Sequence, residues 1–212
     1  MYKNILYIDP MGPQIFTDGT VMEEDMIVKV IRAQSIVGDR KEGRPEHDFY
    51  PTPKEAVYPL LLRVPFIGGI WECACGKGDI SDTLIEEGYN VISTDLIDYG
   101  YGMGGVDFLK VNKLLAPNIV TNPPFKLATE FVYHALEDLK AEKLCLLCKL
   151  SFLESVERKK MFEKFPSTWV YVFSKRLTMT RNGEPSRNGG MIAFAWFVWE
   201  KGYKNYPRID WI

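Results

Sequence analysis

Gly68-Gly69-Ile70-Trp71-Glu72-Cys73-Ala74-Cys75-Gly76-Lys77-Gly78-Asp79 decides the fold class of this 212-residue chain. The apolar run over 70–74 predicts a strand, the glycines predict a tight turn, and 79–87 predicts a helix entered directly from that turn. Working outward, 89–94 reads as a second strand, 119–121 as a third and 143–148 as another. Between the last two, apolar residues at mixed three- and four-residue intervals over 127–139 predict a crossover helix. Strands alternating with helices give an α/β architecture with a central, mostly parallel sheet flanked by helices. Ligands are then expected at the carboxyl ends of the strands. On the N-terminal side, Thr52-Pro53-Lys54-Glu55 resembles a helix start, with Thr52 as cap and Pro53 at the first helical position. Beyond Ser151 the pattern gives a charged helix over 156–165 and strands over 169–173 and 191–199. A basic loop over 175–190 separates those strands.

The first 47 residues read as an N-terminal extension or lid. A strand is predicted over 2–8, a helix over 23–33 on the spacing of Met26, Val30 and Ala33, and a solvated charged loop over 39–44. The remaining 48–212 reads as one domain, since 46% hydrophobic composition at this length supports one substantial core. A formal net charge of −2 excludes a globally basic coat, so any nucleic-acid surface is local. No segment reads as a signal peptide or membrane span, which makes the cytoplasm the default compartment. Cys73, Cys75, Cys145 and Cys148 lie in apolar runs, as reduced, buried cysteines do. Cys145 and Cys148, three apart in a strand, should face opposite sides, and with only two histidines no metal site is expected.

The segment from Glu72 through Gly76 to Gly78 resembles the first motif of class I methyltransferases, and Asn122-Pro123-Pro124-Phe125 strongly resembles the Asn-Pro-Pro-Phe motif of adenine-N6 methyltransferases. The likeness extends from Asp48 to about Trp199. It implies a Rossmann-like fold, S-adenosyl-L-methionine as cofactor, and 48–212 as the catalytic domain. Glu72 then suits the cationic amino end of the cofactor, while Cys73, Ala74, Gly76 and Gly78 form the adjacent backbone cradle. Asp95, ending the next strand, can accept from both ribose hydroxyls. The resemblance gives Asp107 to the cofactor adenine amino group, Phe108 to its ring, and Thr52 to the methionine carboxylate.

The same resemblance makes Asn122, Pro123, Pro124 and Phe125 the catalytic turn. The exocyclic nitrogen of adenine is a weak nucleophile, because its lone pair is delocalised into the ring. Donating its two N–H groups to the Asn122 side-chain oxygen and the Pro123 carbonyl would orient it and favour charge building on nitrogen as it attacks the methyl group. Pro124 restricts the turn, and Phe125 can stack on an extruded purine. Asn122 is an amide and serves as positioner, not as base.

Lys149 is expected to contact backbone phosphate and Ser151 to line the pocket, with Phe152 supporting it. Arg176, Arg181 and Arg187 in the basic loop, with Asn182 and Asn188, are the further phosphate-seeking side chains. Trp196 and Trp199 should face opposite sides of their strand, one of them toward the base pocket. The expected activity is methylation of adenine N6 in DNA, with DNA preferred over RNA as partner. The compact pattern resembles orphan enzymes of phages and prophages. An RNA adenine methyltransferase, a protein glutamine methyltransferase and an inactive nucleic-acid-binding module on the same fold are the alternatives.

Overall fold

The computed structural model describes residues 51–177 and 192–212. The expectations for 2–8, 23–33 and 39–44, for Asp48, and for Arg181, Asn182, Arg187 and Asn188 lie outside the described residues.

Helix α1 (Lys54–Arg63) leads into β1 (Ile70–Glu72), α2 (Asp79–Glu86) and β2 (Val91–Ser93). A short 3-10 turn (Phe108–Lys110) precedes β3 (Asn118–Thr121), and α3 (Ala128–Tyr133) then carries the chain toward β4 (Lys143–Lys149). Helix α4 (Val156–Lys164), β5 (Trp169–Val172), β6 (Phe194–Glu200) and β7 (Arg208–Trp211) complete the described chain. The strands form one sheet in the order β2-β1-β3-β4-β6-β5-β7. The β2-β1-β3-β4 half is parallel throughout. Strand β6 then runs antiparallel between β4 and β5, and β7 is parallel to β5. The carboxyl ends of β1, β2 and β3 therefore open on the same edge of the sheet.

Strand β4 shows why the central run is apolar without alternation. Leu144, Leu146 and Cys148 pack into one core with Trp71, Ile119, Phe131 and Phe197. Cys145 and Leu147 pack into the opposite core with Ile70, Val120, Leu60, Ile80 and Trp196. A parallel strand covered by helices on both faces must be apolar at every position. Cys145 and Cys148 thus face opposite sides, and all four cysteines are free and buried. Trp196 and Trp199 also lie on opposite faces, but neither lines a base pocket. Both are buried, and their indole N–H groups donate to the carbonyls of Ala56 (2.6 Å) and Phe165 (2.9 Å).

Three local expectations are corrected. Pro53, with φ −66° and ψ 148°, is itself the cap of α1, and no side chain bonds the first turn. Thr52 stands one residue too far out to cap it, and its hydroxyl accepts from Asn122 Nδ2 at 3.1 Å instead. The crossover helix changes after Tyr133 into a π-helical turn (His134–Asp138), closed by Leu139 N–H to His134 carbonyl at 2.9 Å. In that turn the His134 ring nitrogens face the Asp138 carboxylate and the Val111 carbonyl, each at 2.8 Å. Finally, β1 stops at Glu72 rather than Ala74, because the chain turns so that Cys75 N–H reaches the Thr94 carbonyl at 3.0 Å. Strand β7 was not foreseen: Arg208-Ile209-Asp210-Trp211 is short and mixed, and pairing with β5 makes it a strand. No described helix is long and apolar enough to cross a membrane.

Candidate functional site

The turn after β1 is fixed from two sides. Gly76 N–H donates to Asp95 Oδ2 at 2.8 Å, while the other Asp95 oxygen accepts from Ile97 N–H at 2.9 Å. Asp95 therefore ties the end of β2 to the glycine turn. Gly78 caps α2 at φ +90°, where a β-carbon would lie 2.4 Å from the Tyr101 ring. Only glycine fits there. The Tyr101 hydroxyl in turn donates to Asp82 at 2.7 Å, pinning the 96–105 loop onto the start of α2.

One cavity opens where these elements meet. Glu72, Cys73, Ala74 and Cys75 from the β1 end line it, with Asp95 and Leu96 from the β2 end. Asp107, Phe108 and Leu109 close another side, and Thr52, Asn122, Pro123 and Pro124 close the last. Its wall carries the carboxyl groups of Glu72, Asp79, Asp95 and Asp107, and among the described residues that line it there is no lysine, arginine or histidine. Such a wall attracts a ligand bearing positive charge and repels a pyrophosphate. Glu72 is the extreme case: it is 2% exposed, and burial pushes its carboxyl well above the usual range despite the hydrogen bond donated by Ser81. Burial also raises Asp79, with Asp82 adding to the effect. A buried carboxylate is stabilised by a cation placed beside it.

Asp107 accepts from Leu109 N–H at 3.2 Å and pairs with Lys110 at 3.1 Å, capping its 3-10 turn. Phe108 is buried, with its ring 4.6 Å from Phe131 and 5.2 Å from Trp71 between centroids. On the opposite wall, Thr52 holds Asn122 through the amide nitrogen. That contact orients the Asn122 side-chain amide.

Gly76 and Gly78 shape the turn from behind and do not themselves line the cavity. Phe125 also stands outside it, in a 3-10 turn (Phe125–Leu127), 5.9 Å from Phe194 and with Lys149 Nζ 4.7 Å from its ring centroid. Ser151 is exposed on the segment after β4, away from the cavity lining, and Phe152 is buried in the core. Arg176 is exposed beyond β5. Cys75, Asp79, Leu96, Ile97, Tyr99, Leu127 and Phe131 line the cavity although the sequence reading did not single them out. Leu96 and Ile97 follow Asp95 at a strand end and carried a readable signal. Phe131 did not, because helical spacing marks it equally as core. Burial raises the thiol pKa values of Cys73 and Cys75, so neither behaves as an activated nucleophile. Among the described residues no group of histidines, cysteines and carboxylates could hold a metal ion.

No protein-family model and no curated protein sequence matches the chain. Solved structures do. A candidate RNA methyltransferase from Pyrococcus horikoshii superposes with a TM-score of 0.56 at 15% identity, over 82% of this chain and 97% of that one. The modification subunit of a candidate type I restriction enzyme from Vibrio vulnificus superposes with a TM-score of 0.54 at 11% identity, over 88% of this chain. The chain spans 50% of that longer protein. At such identities the likeness is one of fold, and together with the seven-stranded sheet it gives the conclusion that the chain has the Rossmann-like fold of class I S-adenosylmethionine-dependent methyltransferases.

Proposed function

We propose that the protein transfers a methyl group from S-adenosyl-L-methionine to the N6 amino group of adenine in DNA, with 48–212 as the catalytic domain. The observation that carries this reading is the single cavity shared by the acidic cradle and the Asn122-Pro123 turn. The residues present fit the cofactor: a buried carboxyl group for an ammonium group and a wall suited to a cation. When bound, the cofactor supplies an electrophilic methyl group on a sulfonium.

Glu72 would receive the methionine ammonium, and Asp95 would take the ribose hydroxyls. Asp107 and Phe108 would meet the cofactor adenine. Asn122, oriented by Thr52, and the Pro123 carbonyl would accept the two N–H groups of the target base, holding its nitrogen toward the methyl donor and favouring the positive charge that builds there. Loss of the amino proton follows once the nitrogen is charged, so no strong base is needed. Lys149 and Arg176, with Arg181 and Arg187, would contact phosphates. The two structural neighbours, an RNA methyltransferase and a restriction-modification subunit by name, support a nucleic-acid substrate of either kind. RNA adenine is accordingly the second reading.

Incubation with methyl-labelled cofactor and matched duplex DNA, single-stranded DNA and structured RNA, followed by mass spectrometry of the nucleosides, tests both. N6-methyladenine in DNA is the expected product. Its appearance in RNA alone transfers the assignment to the second reading, and its absence from every polymer with folded, cofactor-bound protein rejects both.

A further inference from the structure

Strand β2 pairs with β1 so that Ser93 stands directly opposite Glu72. Helix α2 brings Ser81 to both of them: its hydroxyl donates to Glu72 Oε2 and shares a hydrogen bond with Ser93 Oγ at 2.6 Å. Ser81 is fully buried, between the core residues Ile80 and Leu84 of the same helix. Three elements thus meet in a hydroxyl relay that ends on the cavity wall at Glu72.

A hydroxyl has one donor and two acceptor sites, so the relay can run in either direction. With Glu72 ionised, Ser93 donates to Ser81 and Ser81 donates to the carboxylate. With Glu72 neutral, its own O–H donates to Ser81, and Ser81 donates to Ser93. Both arrangements use the same heavy-atom positions, so neither protonation state leaves these buried groups unpaired.

The charge state is then set by what stands beside Glu72. Facing it are Asp79 from α2, Asp95 from the end of β2, the thiols of Cys73 and Cys75 and the Tyr101 hydroxyl from the 96–105 loop, none of them a cation. Burial, with the two aspartates adding to it, favours the neutral carboxyl group in the ligand-free protein. An ammonium group placed beside it favours the carboxylate instead.

We infer that Ser81 and Ser93 are positioning residues that hold Glu72 through a change of protonation, and that the methionine ammonium of the cofactor expels the Glu72 proton as it binds. The proton leaves the carboxyl group for the buffer, and the carboxylate left behind faces the ammonium with Ser81 donating to it. The inference rests on the methyl-transfer reading for the identity of the cofactor and adds to it two residues and one proton.

Calorimetric titration of S-adenosyl-L-methionine in buffers of different ionisation enthalpy counts the protons released. At or below about pH 7, an α-amino group carries its charge. There the wild-type protein should release up to about one proton per cofactor, and affinity should rise with pH by as much as about tenfold per unit. Glu72→Gln should abolish both effects. Ser81→Ala should weaken binding about 10- to 100-fold, as loss of a hydrogen bond to a charged group does. In the Glu72→Gln background the same substitution should cost less than about threefold, because the two residues act as one unit. Ser93→Ala, one bond further from the charge, should weaken binding about two- to tenfold. Binding without proton release, release that persists in Glu72→Gln, or a Ser81→Ala protein with wild-type affinity overturns the relay and leaves the methyl-transfer reading standing. A folded protein that binds no S-adenosyl-L-methionine overturns both.

Discussion

Glu72 concentrates the chemistry of the cradle in one side chain. Because burial raises its pKa above the ordinary value of 4.5, the folded protein binds that proton more tightly than the unfolded chain. The stabilising contribution is complete below the ordinary value and is lost as pH rises through the elevated folded value. Glu72→Gln keeps the shape and removes the ionisation. In the ligand-free protein its Tm advantage over wild type should therefore grow as pH rises above the ordinary carboxyl value. Cofactor affinity should fall in the opposite sense, by about 10- to 100-fold for one charge-assisted hydrogen bond. A pH-independent Tm difference, or unchanged affinity by calorimetry, would contradict the role given to Glu72. Across the cavity, Asn122→Ala should lower kcat about 10²- to 10³-fold, as removal of a transition-state hydrogen-bond partner does, with cofactor affinity nearly unchanged. Thr52→Val, which removes the acceptor of the Asn122 amide, should lower kcat about tenfold. That Asn122, Glu72 and Asp95 line one cavity was readable, because side chains at strand ends beside glycine and proline turns face the carboxyl edge of the sheet. The bond from Asn122 to Thr52 was not readable, since it joins residues that only the folded sheet brings together. Thr52 taken alone satisfies the local rule for a helix cap.

At the scale of elements, the glycine turn and the 96–105 loop behave as one unit. Gly78→Ala puts a β-carbon 2.4 Å from the Tyr101 ring and also forces a left-handed backbone at φ +90°. The backbone part alone costs about 1–3 kcal/mol. Gly78→Ala should therefore lower Tm by several degrees, at about 2–4 °C per kcal/mol for a chain of this size, and weaken cofactor binding. Adding Tyr101→Ala removes the clash but leaves the backbone strain, so the double variant should be less destabilised than the sum of the singles. Strict additivity in melting experiments would show that the two elements are not in contact. Strand β4 was legible because Leu144 to Cys148 are apolar on both faces, as a strand covered on both sides must be. The π-helical turn at His134 was hidden, because the apolar spacing through 127–139 is that of an ordinary helix. Strand β7 was hidden for the converse reason: its few residues carry no period of their own and are ordered by β5.

For the whole molecule, strand order was the part that local patterns could not convey. The apolar run of β6 says that it is buried and nothing about its antiparallel place between β4 and β5. The charge layout has a sharper consequence. With a net charge of −2 and an acidic cavity, the molecule as a whole does not attract a polyanion. On the proposed function, affinity for nucleic acid would come from a few cations at the carboxyl edge of the sheet, and Lys149, whose ammonium lies over Phe125, is the candidate among them. Each phosphate neutralised on a duplex contributes about −0.9 to the slope of log affinity against log salt, and about −0.7 on a single strand. Lys149→Met should therefore make the slope shallower by about that amount while weakening binding at low salt more than at high salt. Titrations of a labelled oligonucleotide across a range of salt concentrations measure this directly. If the slope is unchanged while affinity drops uniformly, Lys149 serves the Phe125 ring and is not a phosphate contact.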